Sequence, residues 1–191
     1  MSIASQLEFH DPELIAPDNS RQAAVSLILD NSASGPRVFF IERAKNENDP
    51  WSGQIAFPGG NRDLEDDDVL STAIRETREE VGILLNKNNL IGRINDQQGR
   101  SNYQVLPLVI SCFVFQLDPI QNAINNHEVA DSFWVDLDHL GSPENLIKYQ
   151  TSYSDQPYPG VQLDSRRVLW GLTYRFVQMF MEATDRGCVK G

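Results

Sequence analysis

The chain has 191 residues, 40% of them hydrophobic, and a formal net charge of -11 at pH 7. That content is enough to bury one good-sized core, and no Ser-, Gly- or Pro-rich linker divides it, so a single domain is expected. So large an acidic excess repels nucleic-acid phosphates, and no cluster of Lys and Arg with interleaved aromatics offsets it, which excludes duplex nucleic acid as a partner.

The opening residues, MSIASQLEFHDPEL, have no basic start followed by an apolar run, and the longest apolar stretch, residues 105–117, is short and contains Pro107. Neither secretion nor membrane insertion is expected. Residues 23–29 and 37–41 are β-branched or aromatic runs separated by the turn-rich Asp30-Asn31-Ser32-Ala33-Ser34-Gly35-Pro36, a pattern that predicts a hairpin. Pro58 then stiffens the approach to Gly59 and Gly60, where backbone can come close to a ligand or a metal.

Leu70, Ala73, Ile74, Thr77 and Val81 recur at steps of three and four, predicting a helix whose apolar stripe faces the core while its glutamates face outward. Asp66, Asp67 and Asp68 are candidate N-caps, and Gly82 is a C-terminal residue suited to positive φ. On this helix Glu76 meets Glu79 at i+3 and Glu80 at i+4, so three carboxylates share one face. At about 5 Å and an effective dielectric near 20, each like-charged pair costs roughly 3 kcal/mol before solvent and salt relax it. A divalent cation would reverse that sign, and hard oxygen ligands suit magnesium, manganese or calcium.

Further along, residues 90–94, 103–115 and 129–135 are strand candidates, and 171–182 reads as a terminal helix with Leu172, Phe176, Met179 and Phe180 on one face. Cys112 sits in an apolar run and Cys188 in a polar tail, so no disulfide framework is expected and a reduced cytoplasm fits. His10, His127 and His139 form no pattern with a Ser or Cys nucleophile. Elements in this order suggest an α/β/α sandwich with a mixed β-sheet.

The run from Gly60 to Ile83 resembles the Nudix box: a glycine, a spaced acid, then R-E-U-x-E-E-x-G-U with U bulky and apolar. Arg75, Glu76, Glu79, Glu80, Gly82 and Ile83 match it, and Thr77 stands at the first U position. Five residues separate Gly60 from Asp66 and eight separate Asp66 from Arg75, one more than the common pattern, so either Asp66 or Asp67 takes the place of the loop acid. A box lengthened by one residue resembles the branch that includes coenzyme A pyrophosphatases. The upstream Gly53, Phe57, Pro58, Gly59 and Gly60 also resemble that branch, whereas Ala44 and Asp49 stand where its pattern has Ser and Arg. Downstream, residues 127–135 resemble its E-V-x-x-x-x-W region, with Glu128 as the glutamate, and residues 166–173 resemble its V-W-G-x-T stretch.

The resemblance implies a Nudix-like α/β fold over residues 23–182, with 1–22 as an N-terminal extension and 183–191 as a tail. It implies a hydrolase dependent on Mg²⁺ or Mn²⁺ that splits the diphosphate linkage of a nucleoside diphosphate joined to another group. Glu76, Glu79, Glu80, Glu128 and the Gly59 carbonyl would be metal ligands, Arg75 would orient a glutamate by ion pairing, and either Glu128 or Glu76 would be the base. Arg43, Arg166 and Arg167 are candidate contacts to ligand phosphates. Coenzyme A or an acyl derivative is the leading substrate, with ADP-ribose, an ADP-sugar or a dinucleotide as alternatives, and a non-catalytic nucleotide-binding module as the alternative class.

Overall fold

The computed structural model describes residues 1–32, 35–46, 51–101, 104–151 and 154–186. In chain order the elements are α1 (Ile3–Glu8), β1 (Arg21–Ser32), β2 (Gly35–Arg43), β3 (Ile55–Ala56), β4 (Gly59–Asn61), α2 (Val69–Val81), β5 (Leu90–Ser101), β6 (Gln104–Leu117), β7 (Val129–Asp136), α3 (Leu137–Gly141), β8 (Leu146–Tyr149), β9 (Tyr158–Gln162), β10 (Val168–Trp170) and α4 (Gly171–Ala183). The expected Asp49, Tyr103 and Cys188 lie outside the described residues.

The main sheet runs β3-β2-β1-β6-β5, with β4 paired to β1 and β7 to β2. Strands β1 and β6 are parallel and the other pairings are antiparallel, so the sheet is mixed as expected. Alternation along each strand sends its apolar side chains to opposite faces. On one face Ala24, Ile28, Phe39, Ile41, Phe113 and Phe115 pack with Ala73 and Val81 of α2. On the other, Leu27, Leu29, Phe40 and Val114 pack with Phe176, Val177 and Phe180 of α4. The result is an α/β/α sandwich in which α2 has a face of its own.

Three features were not legible from periodicity. Strand β5 continues past Ile94 through the polar NDQQGRS, because pairing with β6 supplies the partners that hydrophobicity does not. The short strands β8, β9 and β10 form a second antiparallel sheet, which buries Val161 and Leu169 in the α4-side core. Before β1, α1 places Leu7 in that same core, and the backbone N–H groups of Glu13 and Ile15 donate to Asn95 and Asp96 of β5. Among the described residues no helix is long and apolar enough to cross a membrane.

Candidate active site

Helix α2 starts where the Asp68 side chain accepts from the Ser71 N–H at 2.7 Å, and it ends at Gly82, whose φ of 67° lets its N–H reach the Arg78 carbonyl at 3.0 Å. Ala73, Thr77 and Val81 are buried, as the stripe requires. Thr77 fits an apolar position because its hydroxyl is bonded to the Ala73 carbonyl at 2.7 Å and to the Ser26 hydroxyl at 2.8 Å.

The three glutamates are not equivalent, which corrects the expectation that they all face outward. Glu80 is only 2% exposed, and its Oε2 accepts from the Gly59 N–H at 2.9 Å. Burial pushes its carboxyl up to about 7; the Gly59 N–H and the Arg43 charge oppose this rise, while Glu76 and Glu128 add to it. Glu76 is also raised, chiefly by burial. Glu79 is about half exposed. Sequence pattern missed this ordering because it is the distant Gly59 segment, 21 positions earlier, that lies against Glu80.

Arg75 holds the outer two glutamates: its Nη1 donates to Glu76 Oε1 and to Glu79 Oε2, each at 3.0 Å. Its Nε and Nη2 form a fork on Asp66 at 2.9 Å each, and Nη2 also reaches the Asn61 carbonyl. Asp66 is buried, also accepts from the Thr72 hydroxyl and the Asp63 N–H, and is held well below the usual carboxylate range, first by Arg75. Asp67 is exposed, so Asp66 is the acid built into the loop.

Gly59 and Gly60 let the β4 segment reach this face. A Cβ on Gly59, where φ is +155°, would fall 2.2 Å from the Ala24 carbonyl oxygen, and one on Gly60 would fall 2.5 Å from the Glu76 carboxyl. Glu128 arrives from the other end of the helix. The Ile124 and Asn126 N–H groups dock on the Val81 and Glu80 carbonyls at 2.8 Å each, and the Ala44 N–H donates to the Glu128 carbonyl at 2.8 Å. The Glu128 charge thereby bears on both Glu76 and Glu80. Asn126 carries no signal in the sequence that would have marked it.

Among the described residues, no three acidic, imidazole or thiol side chains are gathered tightly enough to cage an ion. Glu76 and Glu79 are engaged by Arg75 and Glu80 by the Gly59 amide. The donor set nevertheless suits a hard cation: Glu76, Glu79, Glu80 and Glu128 offer oxygen only, two of them carry a burial penalty that a cation would offset, and the missing side chain of Gly60 leaves room for the Glu76 carboxyl. A pocket of 400 Å³ on the flank of α2 is lined by Asp66, Arg75 and Arg78 among others but by none of these four glutamates, so it is not where they converge.

The expected phosphate contacts separate. Arg43, half buried on β2, lies close enough for its charge to act on Glu80. Arg166 is exposed, with its N–H on Asp164. The guanidinium of Arg167 pairs with Glu42 at 3.1 Å, with Asp164 at 3.2 Å and with Asp131, and lies 4.1 Å from the Phe133 ring centre. Three carboxylates and a ring engage it within the chain.

The NUDIX domain model matches residues 20–156 of this chain. An uncharacterized protein of Schizosaccharomyces pombe is 36% identical over 149 residues, covering 76% of this chain and 42% of the relative. The mitochondrial coenzyme A diphosphatase NUDT8 of Homo sapiens is 32% identical over 123 residues, covering 64% of this chain and 51% of the relative. The chain thus spans about half the length of these two curated relatives. In fold, a MutT/nudix family protein from Enterococcus faecalis superposes with a TM-score of 0.62 at 17% identity, covering 97% of this chain and 70% of that one. The family model matches more than half of the chain and runs through the helix on which Arg75, Glu76, Glu79 and Glu80 lie; the chain belongs to the NUDIX domain family, whose hydrolases act on phosphoanhydride bonds.

Proposed function

We propose that this chain is a Mg²⁺- or Mn²⁺-dependent hydrolase that splits the diphosphate bridge of a nucleoside diphosphate joined to another group, with coenzyme A or an acyl derivative as the leading substrate. The observation that supports the reading is the burial of Glu80 and Glu76 against Gly59 and Gly60, which raises both carboxyls above their ordinary range in spite of Arg75 and Arg43, a cost that a bound cation would offset. Glu76, Glu79, Glu80, Glu128 and the Gly59 carbonyl would hold the metal, which when bound supplies positive charge against the phosphoryl oxygens. Water attacks one phosphorus of the bridge, its proton passes to Glu76 or Glu128, and the bond to the bridging oxygen breaks to leave two phosphate monoesters. Asp66 fixes Arg75, and Arg75 fixes Glu76 and Glu79, so the reacting carboxylates are held before substrate arrives.

Two observations bear on the attached group. The similarity to a coenzyme A diphosphatase supports coenzyme A. Against it, Arg167 is committed to carboxylates and Ala44 offers no side-chain hydroxyl, so two contacts expected for extra phosphates are missing; this favours ADP-ribose, an ADP-sugar or a dinucleotide as the second reading. The test compares kcat/KM for coenzyme A, dephospho-coenzyme A, ADP-ribose and a dinucleoside polyphosphate with Mg²⁺ and with Mn²⁺. Coenzyme A is expected to lead and to yield a 3′,5′-nucleoside bisphosphate and a 4′-phosphopantetheine product. A tenfold lead for either of the last two substrates, about 1.4 kcal/mol of transition-state preference, drops coenzyme A and keeps the hydrolase. We take the cytoplasm as the compartment, and since the human relative is named as mitochondrial, cell fractionation is the check.

A further inference from the structure

Strands β2 and β7 pair in register from Arg37 with Asp136 to Glu42 with Asp131, and then the register slips. The next pair is Arg43 with Val129, so Ala130 is left over as a bulge. Bulges bend a strand and re-aim the side chains beyond them. Here the residues just beyond are Arg43, whose charge acts on Glu80, and Glu128, whose charge acts on both Glu76 and Glu80.

The last pair before the slip is electrostatically unfavourable, because Glu42 and Asp131 are both acids and stand directly opposite each other. Arg167 resolves it. From the far side of the sheet its Nε donates to Glu42 and its Nη2 to Asp131, joining the two strands, while Nη1 ties the pair to Asp164 in the loop before β10. The guanidinium is flattened on Phe133, which pairs with Phe40 in the same two strands. It is 12% exposed, and the backbone N–H groups of Arg166 and Arg167 hold Asp164 in turn, so the clamp is held from its own side as well.

We propose that Arg167 is a positioning residue: by bridging Glu42 and Asp131 it sets the bulge that delivers Arg43 and Glu128 to the glutamate face of α2, without touching substrate. The inference rests on the function proposed above, and its test includes a reading that does not need turnover. Displacements on the order of 1 Å at reacting groups cost up to about 100-fold in rate. Losing the clamp should therefore lower kcat more than it raises KM.

The experiment compares wild type, Arg167→Met, the triple variant Arg167→Met/Glu42→Gln/Asp131→Asn, and Asp164→Asn. Melting temperature, kcat, KM and Mn²⁺ affinity by titration are measured for each. Arg167→Met leaves two opposed acids unpaired and is expected to lose stability as well as at least tenfold in kcat. The triple variant removes that repulsion, so its melting temperature should recover while kcat stays at least tenfold low and Mn²⁺ binding stays weakened. Asp164→Asn cuts only the tie to the loop and should keep kcat within about twofold. Wild-type kcat and Mn²⁺ affinity in the triple variant would overturn the positioning role and leave Arg167 a stability element, and that variant decides even if Arg167→Met does not fold. If wild type hydrolyses no diphosphate but binds Mn²⁺ tenfold better than the triple variant, the proposed activity falls and the positioning role stands.

Discussion

Two arginines in this molecule each gather three carboxylates, and the two clusters are built the opposite way round. At Arg167 the cation is the buried partner, 12% exposed, while Asp131 and Asp164 reach water at 48% and 41%. At Arg75 two of the three acids are the buried partners: Asp66 is 5% and Glu76 17% exposed around a guanidinium that is 26% exposed, with Glu79 open at 47%. Hydrated acids around a buried arginine form a tie that needs nothing further. Buried acids around an arginine already shared three ways, with Glu80 sealed beside them, leave a burial penalty that Arg75 and Arg43 offset only in part, since both Glu76 and Glu80 stay raised. The first arrangement joins strands, and the second fits a binding site for a cation.

The sharpest break of this comparison is at the glutamates. Glu80→Gln and Glu79→Gln are each expected to lower kcat by at least about 100-fold with the fold intact, the scale of losing an electrostatic contribution at the reacting centre. Near-wild-type turnover of both at saturating metal would take them out of the proposed machinery. Gly60→Ala comes next, since its methyl would displace the Glu76 carboxyl; a loss of about 10-fold in kcat at nearly unchanged melting temperature is expected.

Stability should tell the two clusters apart by the sign of its pH dependence. Glu80 titrates at about 7 in the folded chain against an ordinary 4.5, so the folded state holds more protons across that interval, and metal-free protein should lose stability as pH rises through it. The change is roughly 3 kcal/mol, should shrink in Glu80→Gln to the part that the raised Glu76 carboxyl contributes, and should be opposed by millimolar Mg²⁺ or Mn²⁺ bound to the folded state. A flat profile from pH 4.5 to 7.5 in chelator would contradict it. Asp164 behaves oppositely. The N–H groups of Arg166 and Arg167 hold its carboxyl below the ordinary range, so its contribution is present above about pH 4 and fades as pH falls further. With the side chain 41% exposed, Asp164→Asn is expected to cost under about 1 kcal/mol in chemical denaturation at pH 7.

Much of α2 was legible before any fold was known, because caps and stripe are relations among near neighbours. Asp68, Thr77, Val81 and Gly82 all serve as their spacing requires, and the shared face of Glu76, Glu79 and Glu80 follows from the helix repeat alone. The hairpin of β1 and β2, the apolar strand β6 and the terminal helix α4 were readable for the same reason. What the sequence could not decide was which charged groups are dry. Glu80 is buried because a glycine 21 positions earlier brings its N–H beside it, and Asp66 rather than Asp67 meets Arg75 because a loop closes over nine positions. Arg167 was a candidate phosphate contact by its sequence neighbours, and only a contact across 125 positions joins it to Glu42. Local periodicity fixes which way a side chain leaves its helix or strand; burial and ion pairing depend on what distant segments place there, and they decide whether that group ties strands together or stands ready for a cation.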